Sequence, residues 1–127
     1  MMEKQKVGII GAGRWAKNAH LPGFTRSPLS EVVAICDLNS DLAEMRAKEF
    51  DIPDVYSDSN EMLNREDIDV IDICTRASPD EPDNHEKLVF ATLNKDKHCL
   101  CEKPVAHDYR NTWKAHHLAE KKGLKTK

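Results

Sequence analysis

No apolar run in this sequence approaches the roughly 20 residues that a membrane-spanning helix needs. The N-terminal "MMEKQK" leads only into "VGII", too short for the apolar core of a signal peptide. A membrane partner and export are therefore not expected, and the expected location is the cytoplasm. Basic residues form no block before the lysine-rich C-terminus, and 19 Lys and Arg against 22 Asp and Glu leave a formal net charge of −3. That balance speaks against nucleic acid as a partner. Cysteine is sparse: Cys36, Cys74, Cys99 and Cys101 each lie in or beside an apolar run. A thiol in that setting serves as a small hydrophobe in a reducing compartment, not as part of a disulfide framework. Internal repeats and low-complexity linkers are also missing.

What is present fits one globular domain, residues 1–127, with 39% hydrophobic and 32% charged residues. Four short runs rich in Val, Ile, Leu and Cys recur: "KVGIIG" (Lys6 to Gly11), "EVVAICD" (Glu31 to Asp37), "DVIDICT" (Asp69 to Thr75) and "HCLCEK" (His98 to Lys103). Nearly continuous apolar runs of this length suit strands of a parallel sheet covered on both faces. Helical stretches separate them. The first follows the glycine turn. Others are predicted over Ser40 to Phe50, with Leu42, Met45, Glu49 and Phe50 at helical spacing, and over about Asn60 to Arg65. The next runs from about Asp83 to Asn94, with Leu88, Ala91 and Thr92 on one face. The last starts at Asp108 as N-cap, carries Tyr109, Trp113, His116 and Ala119 on one side, and stops at Gly123. Strands alternating with helices imply right-handed crossovers and an α/β fold: a doubly wound parallel sheet in a single three-layer domain. The final "GLKTK" reads as the approach to one more strand.

In such a sheet ligands bind beyond the carboxyl ends of the strands. "GAGRWA" (Gly11 to Ala16) lies there, a G-x-G-x-x-A turn directly after the first strand. Gly11 permits the tight turn, Gly13 lets backbone approach a pyrophosphate, and Ala16 allows close helix packing. The N–H groups around Arg14, Trp15 and Ala16 open the helix and present its positive end to phosphate. A dinucleotide site also wants an acid about 20 residues further on, at the end of the second strand, for the ribose hydroxyls. Asp37 occupies that place. Its carboxylate would repel a 2′-phosphate, and Leu38, Asn39 and Ser40 offer no cation, so NAD is favoured over NADP.

The stretch "HCLCEKPVA" (His98 to Ala106) concentrates reactive side chains. Alternation along a strand sends Cys99, Cys101 and Lys103 to one side and His98, Leu100 and Glu102 to the other. That leaves too few converging ligands for zinc, and Cys-x-Cys lacks the spacing of a redox motif, so no metal is expected. Lys103, at the carboxyl end of a buried strand, is placed to donate to a substrate oxygen and to relay a proton during hydride transfer.

"VGIIGAGRWAKNAHLPGF", Asp37 and above all "KHCLCEKPVA" resemble the N-terminal domain of the Gfo/Idh/MocA family of nicotinamide-dependent oxidoreductases, over about Lys6 to Gly123. The resemblance implies a Rossmann fold, a catalytic Lys103 beside nicotinamide and substrate, a cofactor contact from Glu102, and a turn shaped by Pro104, often through a cis peptide bond. It aligns Thr75 with a family Thr-Pro-Asn turn, although Arg76 stands where proline is usual, and it suggests His85 as the family's cofactor-side histidine after a lengthened segment. It further implies hydride transfer at a hydroxyl or carbonyl carbon of a sugar, polyol or related small molecule. The family's second α/β domain forms the substrate pocket, often mediates homo-oligomers and contributes an Asp and a His to catalysis. Nothing in the 127 residues can supply that domain, so the chain is expected to be an incomplete unit, inactive alone. A glycosidase-like member that recycles bound NAD and a non-catalytic NAD-binding or sensing module are the alternatives.

His20, alone in the first helix, is expected to be a packing residue. His116 and His117 point about 100° apart on a helix, which is read as one half-buried and one exposed ring. Trp15 has two places open to it: over the pyrophosphate, or under the helix that starts at Asp108.

Overall fold

The computed structural model describes residues 3–76, 80 and 84–127. Among them, five strands form an all-parallel sheet: β1 (Gln5–Ile10), β2 (Ser30–Cys36), β3 (Asp54–Tyr56), β4 (Val70–Ile73) and β5 (His98–Cys101), in spatial order β3-β2-β1-β4-β5. The order reverses between β1 and β4, so the ends of these two strands flank the switch point at which such sheets bind ligands. Residues 125–127 run on beside β5: Cys99 donates its N–H to the Lys125 carbonyl, and Lys127 donates to that of Cys99.

Helices cover both faces, which is why the strands read as continuous apolar runs. On one face α3 (Ser59–Leu63), α4 (His85–Asn94) and α5 (Tyr109–Lys122) pack Met62, Leu88, Leu93 and Ala115 against Ile71, Ile73 and Cys99. On the other, α1 (Leu21–Arg26), the helical turn before it and α2 (Ser40–Phe50) pack Leu21, Ala43 and Ala47 against Val7, Ile9 and Ile35. Side-chain caps define the helix starts: Asn39, Asp58, Asn84 and Asp108 each accept a backbone N–H of the first turn. Gly123 ends α5 in the left-handed conformation. Among the described residues no helix is long and apolar enough to cross a membrane.

Four expectations need correction. β3 adds a strand to the four apolar runs; it is only three residues long and pairs with β2 alone, so it carries no long apolar signature. In α2 the buried side chains are Ala43, Arg46 and Ala47, and Met45 is exposed, because small residues let the helix lie close to the sheet. In α5 the packed positions are Ala115 and Ala119, while Tyr109 and Trp113 face solvent. His116 and His117 are both exposed and share Glu120 as ion-pair partner. The predicted start of α4 at Asp83, and much of the Thr75–His85 segment, lie outside the described residues.

Candidate functional site

The glycine turn is built into the sheet at its switch point. Gly11 has φ +105° and donates its N–H to the Cys36 carbonyl at 2.8 Å. A Cβ there would stand 2.8 Å from the backbone of Cys74 and Thr75, so the turn runs hard against the exit of β4. Gly13 differs: a Cβ there would meet nothing within 4 Å. Ala16 is fully buried beneath the turn. Arg14 and Trp15, between them, are exposed. At the end of β2, Asp37 accepts the Ala12 N–H through Oδ2 at 2.7 Å and the Asn39 N–H through Oδ1 at 2.8 Å.

A second turn closes the same edge behind β5. The Glu102 N–H donates to the Ile73 carbonyl, which carries the chain alongside the end of β4, and the Lys103–Pro104 peptide bond is cis. Lys103 is exposed, and its side chain forms no ion pair among the described residues. His85, 3% exposed at the first turn of α4, braces this region. Its Nδ1 lies 2.7 Å from the Pro104 carbonyl and its Nε2 2.7 Å from that of Thr75. The ring therefore ties the end of β4 to the Pro104 turn, with both nitrogens engaged inside the protein.

Between the two turns stands a cluster that sequence reasoning passed over. The helix after the glycine turn widens to a π-helical segment at Ala16–His20, where the Leu21 N–H reaches back to the Ala16 carbonyl. Pro22 accounts for this: it has no N–H to give the carbonyl four residues back, and its ring would crowd that carbonyl in an unbroken α-helix. His20 ends the widened segment with Nδ1 2.7 Å from Asp72 Oδ2 and Nε2 2.6 Å from Glu102 Oε1. Trp15 Nε1–H donates to the same Glu102 oxygen at 2.7 Å, so the indole reaches the β5 turn. The Cys74 thiol donates to Asp72 Oδ2 at 3.2 Å.

The electrostatics follow from burial and these contacts. Burial works against a charged His20, but the Asp72 charge and hydrogen bonds to Glu102 and Asp72 outweigh it and raise its pKa above 6.5. Asp72 is fully buried, with Oδ1 lacking a hydrogen-bond partner, and burial pushes its pKa up. The Trp15 and His20 hydrogen bonds hold Glu102 below its ordinary value. Burial pushes the thiols of Cys74, Cys99 and Cys101 up, Cys99 to about 12. No disulfide joins any of the described cysteines, and the raised Cys99 and Cys101 thiols act as packing groups at neutral pH. His20, Asp72 and Cys74 could together offer three metal ligands. Their direct 2.7 Å and 3.2 Å separations are those of hydrogen bonds, closer than ligand atoms sharing one zinc ion in tetrahedral geometry.

Residues 5–126 match the family described as oxidoreductase, NAD-binding Rossmann fold (Gfo/Idh/MocA). The chain belongs to this family. Inositol 2-dehydrogenase of Arthrobacter sp. (strain FB24) is 34% identical over 128 residues, covering 98% of this chain and 36% of that protein. An uncharacterized oxidoreductase, YrbE, of Bacillus subtilis (strain 168) is 33% identical over 124 residues, 97% of this chain and 35% of that one. A 3-ketoreductase from Actinomadura kijaniata, solved with NADP and TDP-benzene, superposes with a TM-score of 0.86 at 28% identity, over 96% of this chain and 36% of that one. The chain spans about a third of the length of these relatives.

As a Gfo/Idh/MocA domain the chain has residues that fit a dinucleotide. The open space over Gly13 could admit a phosphate close to the backbone, and Gly11, packed on β4, sets the turn. Asp37 uses one acceptor direction of each oxygen on Ala12 and Asn39, leaving capacity for ribose hydroxyls. Two apolar grooves lie outside the glycine turn, the first beside β5 and the second running from His20 across the sheet face toward the amino ends of β1, β2 and β4. One, of ≈ 310 Å³, lies between β5 and α5 and is lined by Cys101, Val105 and Trp113; the other, of ≈ 610 Å³, lies beside His20 and is lined by Phe24, Val70 and Leu100. Leu100 and Glu102 on the His20 side, with Cys99 and Cys101 on the α5 side, follow the alternation read from the sequence.

Proposed function

We propose that residues 1–127 are the cofactor domain of an NAD-dependent oxidoreductase. The reaction is hydride transfer between the nicotinamide and a hydroxyl- or carbonyl-bearing carbon of a sugar, polyol or related small molecule. One observation carries the reading: the glycine turn after β1, Asp37 after β2 and Lys103 after β5 meet at one sheet edge, joined by the Trp15–Glu102 hydrogen bond. When bound, the nicotinamide supplies the carbon that accepts or gives hydride. The chain's own residues supply the rest. N–H groups at the glycine turn would hold the pyrophosphate, Asp37 the adenosine ribose, and Thr75 would stand where β4 meets the cofactor. Lys103, exposed at the edge, would donate a proton from Nζ to the substrate oxygen when a carbonyl is reduced and take one back from solvent; in the oxidising direction neutral Nζ would accept the hydroxyl proton and pass it to solvent.

Support for the substrate class comes from relatives named inositol 2-dehydrogenase and D-apiose dehydrogenase. The reading includes a cytoplasmic location, and homo-oligomers formed only through the family's second domain. Titration of the chain with NADH and NADPH, read by nicotinamide fluorescence, tests the core of it. Tighter binding of NADH, lost on Asp37→Ala, is the expected result; failure of both nucleotides to bind would overturn the reading.

A further inference from the structure

His20 contacts two carboxylate oxygens, one at each ring nitrogen. Neither oxygen can donate while ionised, so the two contacts together need one proton beyond the neutral ring. That proton resides on the ring or on Asp72; either way Asp72 is satisfied through Oδ2 and His20 still donates from Nε2 to Glu102. Losing it leaves a ring lone pair against a carboxylate, with a fully buried Asp72 charged and Oδ1 already lacking a partner. The cluster joins three elements far apart in sequence: the helix of the glycine turn, the middle of β4, and the turn behind β5. Trp15 shares the Glu102 oxygen, so whatever holds Glu102 also holds the Trp15 indole.

We propose that His20 is a positioning residue for the nicotinamide end of the site. The proton it shares with Asp72 clamps Glu102, and with it Trp15 and the Lys103–Pro104 turn, to the glycine-turn helix, so that nucleotide affinity depends on that proton. This rests on the cofactor reading above. The groups facing His20 are Asp72 on β4 and Glu102 behind β5, with the Cys74 thiol on Asp72, while the Cys99 and Cys101 thiols lie on the α5 face of the sheet. All three thiols stay protonated at neutral pH, so the carboxylates and the ring set the charge of the cluster. On its own helix, Lys17 is paired with Glu49 on α2.

The test uses the ¹⁵N-labelled 127-residue chain from about pH 5 to 9, the range in which histidines titrate. Ring nitrogens of His20 and the Trp15 indole N–H are followed by NMR, the indole assigned with Trp15→Phe. NADH affinity is measured at each pH for the wild type and for His20→Gln. Expected are a common midpoint for the His20 ring and the Trp15 indole, above 6.5, and a loss of NADH affinity of roughly fivefold or more across it. His20→Gln should bind more weakly at low pH and show no such step. An indole that does not follow His20 would overturn the clamp, and the wild-type titration decides this even if His20→Gln does not fold. NADH affinity that is flat across the midpoint would overturn the proposal and leave the cofactor reading standing. No NADH binding at any pH, with the indole still following His20, would sink the cofactor reading and with it the role in nucleotide affinity, leaving only a structural clamp.

Discussion

Asp37 accepts the backbone N–H of Ala12 at 2.7 Å, which makes the acid at the end of β2 part of the glycine turn's own hydrogen bonding. One carboxylate thus shapes the turn and faces the place where a ribose would lie. Asp37→Ala removes an acceptor for two N–H groups and a charge that disfavours a 2′-phosphate. NADH binding should weaken by about tenfold, one good hydrogen bond's worth, and the preference over NADPH should disappear. Parallel fluorescence titrations with the two nucleotides check both effects.

Gly11 and Gly13 should respond oppositely to alanine. At Gly11 the new Cβ would collide with β4 backbone at a positive φ, and neither strand can retreat without breaking the sheet. Gly11→Ala should cost about 3 kcal/mol or more. At Gly13 the new methyl meets open space, so stability should stay within about 1 kcal/mol while NADH binding falls sharply. Urea unfolding paired with titration separates a folding glycine from a ligand glycine.

Stability should peak between the acid and alkaline ranges. The folded-state pKa of His20 is raised, so the stability it contributes is complete below 6.5 and is lost as pH rises through the folded value. Asp72 is raised by burial and acts in the same direction, since the folded chain binds its proton more tightly. Glu102, Asp67, Asp96 and Asp108 are lowered by hydrogen bonds, led by Trp15, Arg65, Lys122 and Arg110 respectively. Their stability is present above the ordinary carboxylate values and lost as pH falls through the folded ones. Tm should therefore decline on both sides, and His20→Gln should flatten the alkaline limb.

Lys97 is 4% exposed, and its Nζ donates to the carbonyls of Arg65 and Ile68, bracing the entry to β4 from the start of β5. Lys97→Met keeps the packed stem but strands two carbonyls. A loss of about 2 kcal/mol is expected, read as a lower urea midpoint with an unchanged slope.

Much of the architecture was legible because its causes are local. Apolar runs of four to six residues marked β1, β2, β4 and β5, and Asp108 and Gly123 bounded α5 through the N–H and φ demands of helix ends. Where a neighbour sets the demand, local reading fell short. The inner face of α2 is chosen by how near β2 and β1 let it lie, which selects Ala43 and Ala47 over Met45. β3 is a strand because β2 offers it an edge. Pro22 two residues after His20 was the one available hint of a widened helix, and it says nothing of what His20 would face.

The glycine turn, Asp37 at the end of β2 and the strand-end place of Lys103 were legible from residue types and spacing, since tight turns and strand ends impose their chemistry within a few residues, whereas the expectations for Glu102 and Pro104 came from the family resemblance. The tertiary structure alone decided that His20 lies between Asp72 and Glu102, with Trp15 on the same oxygen. Those pairs are 52, 82 and 87 residues apart in the chain. They meet because β4 lies beside β1 in the sheet and β5 beside β4, and no periodicity within a single segment encodes that adjacency.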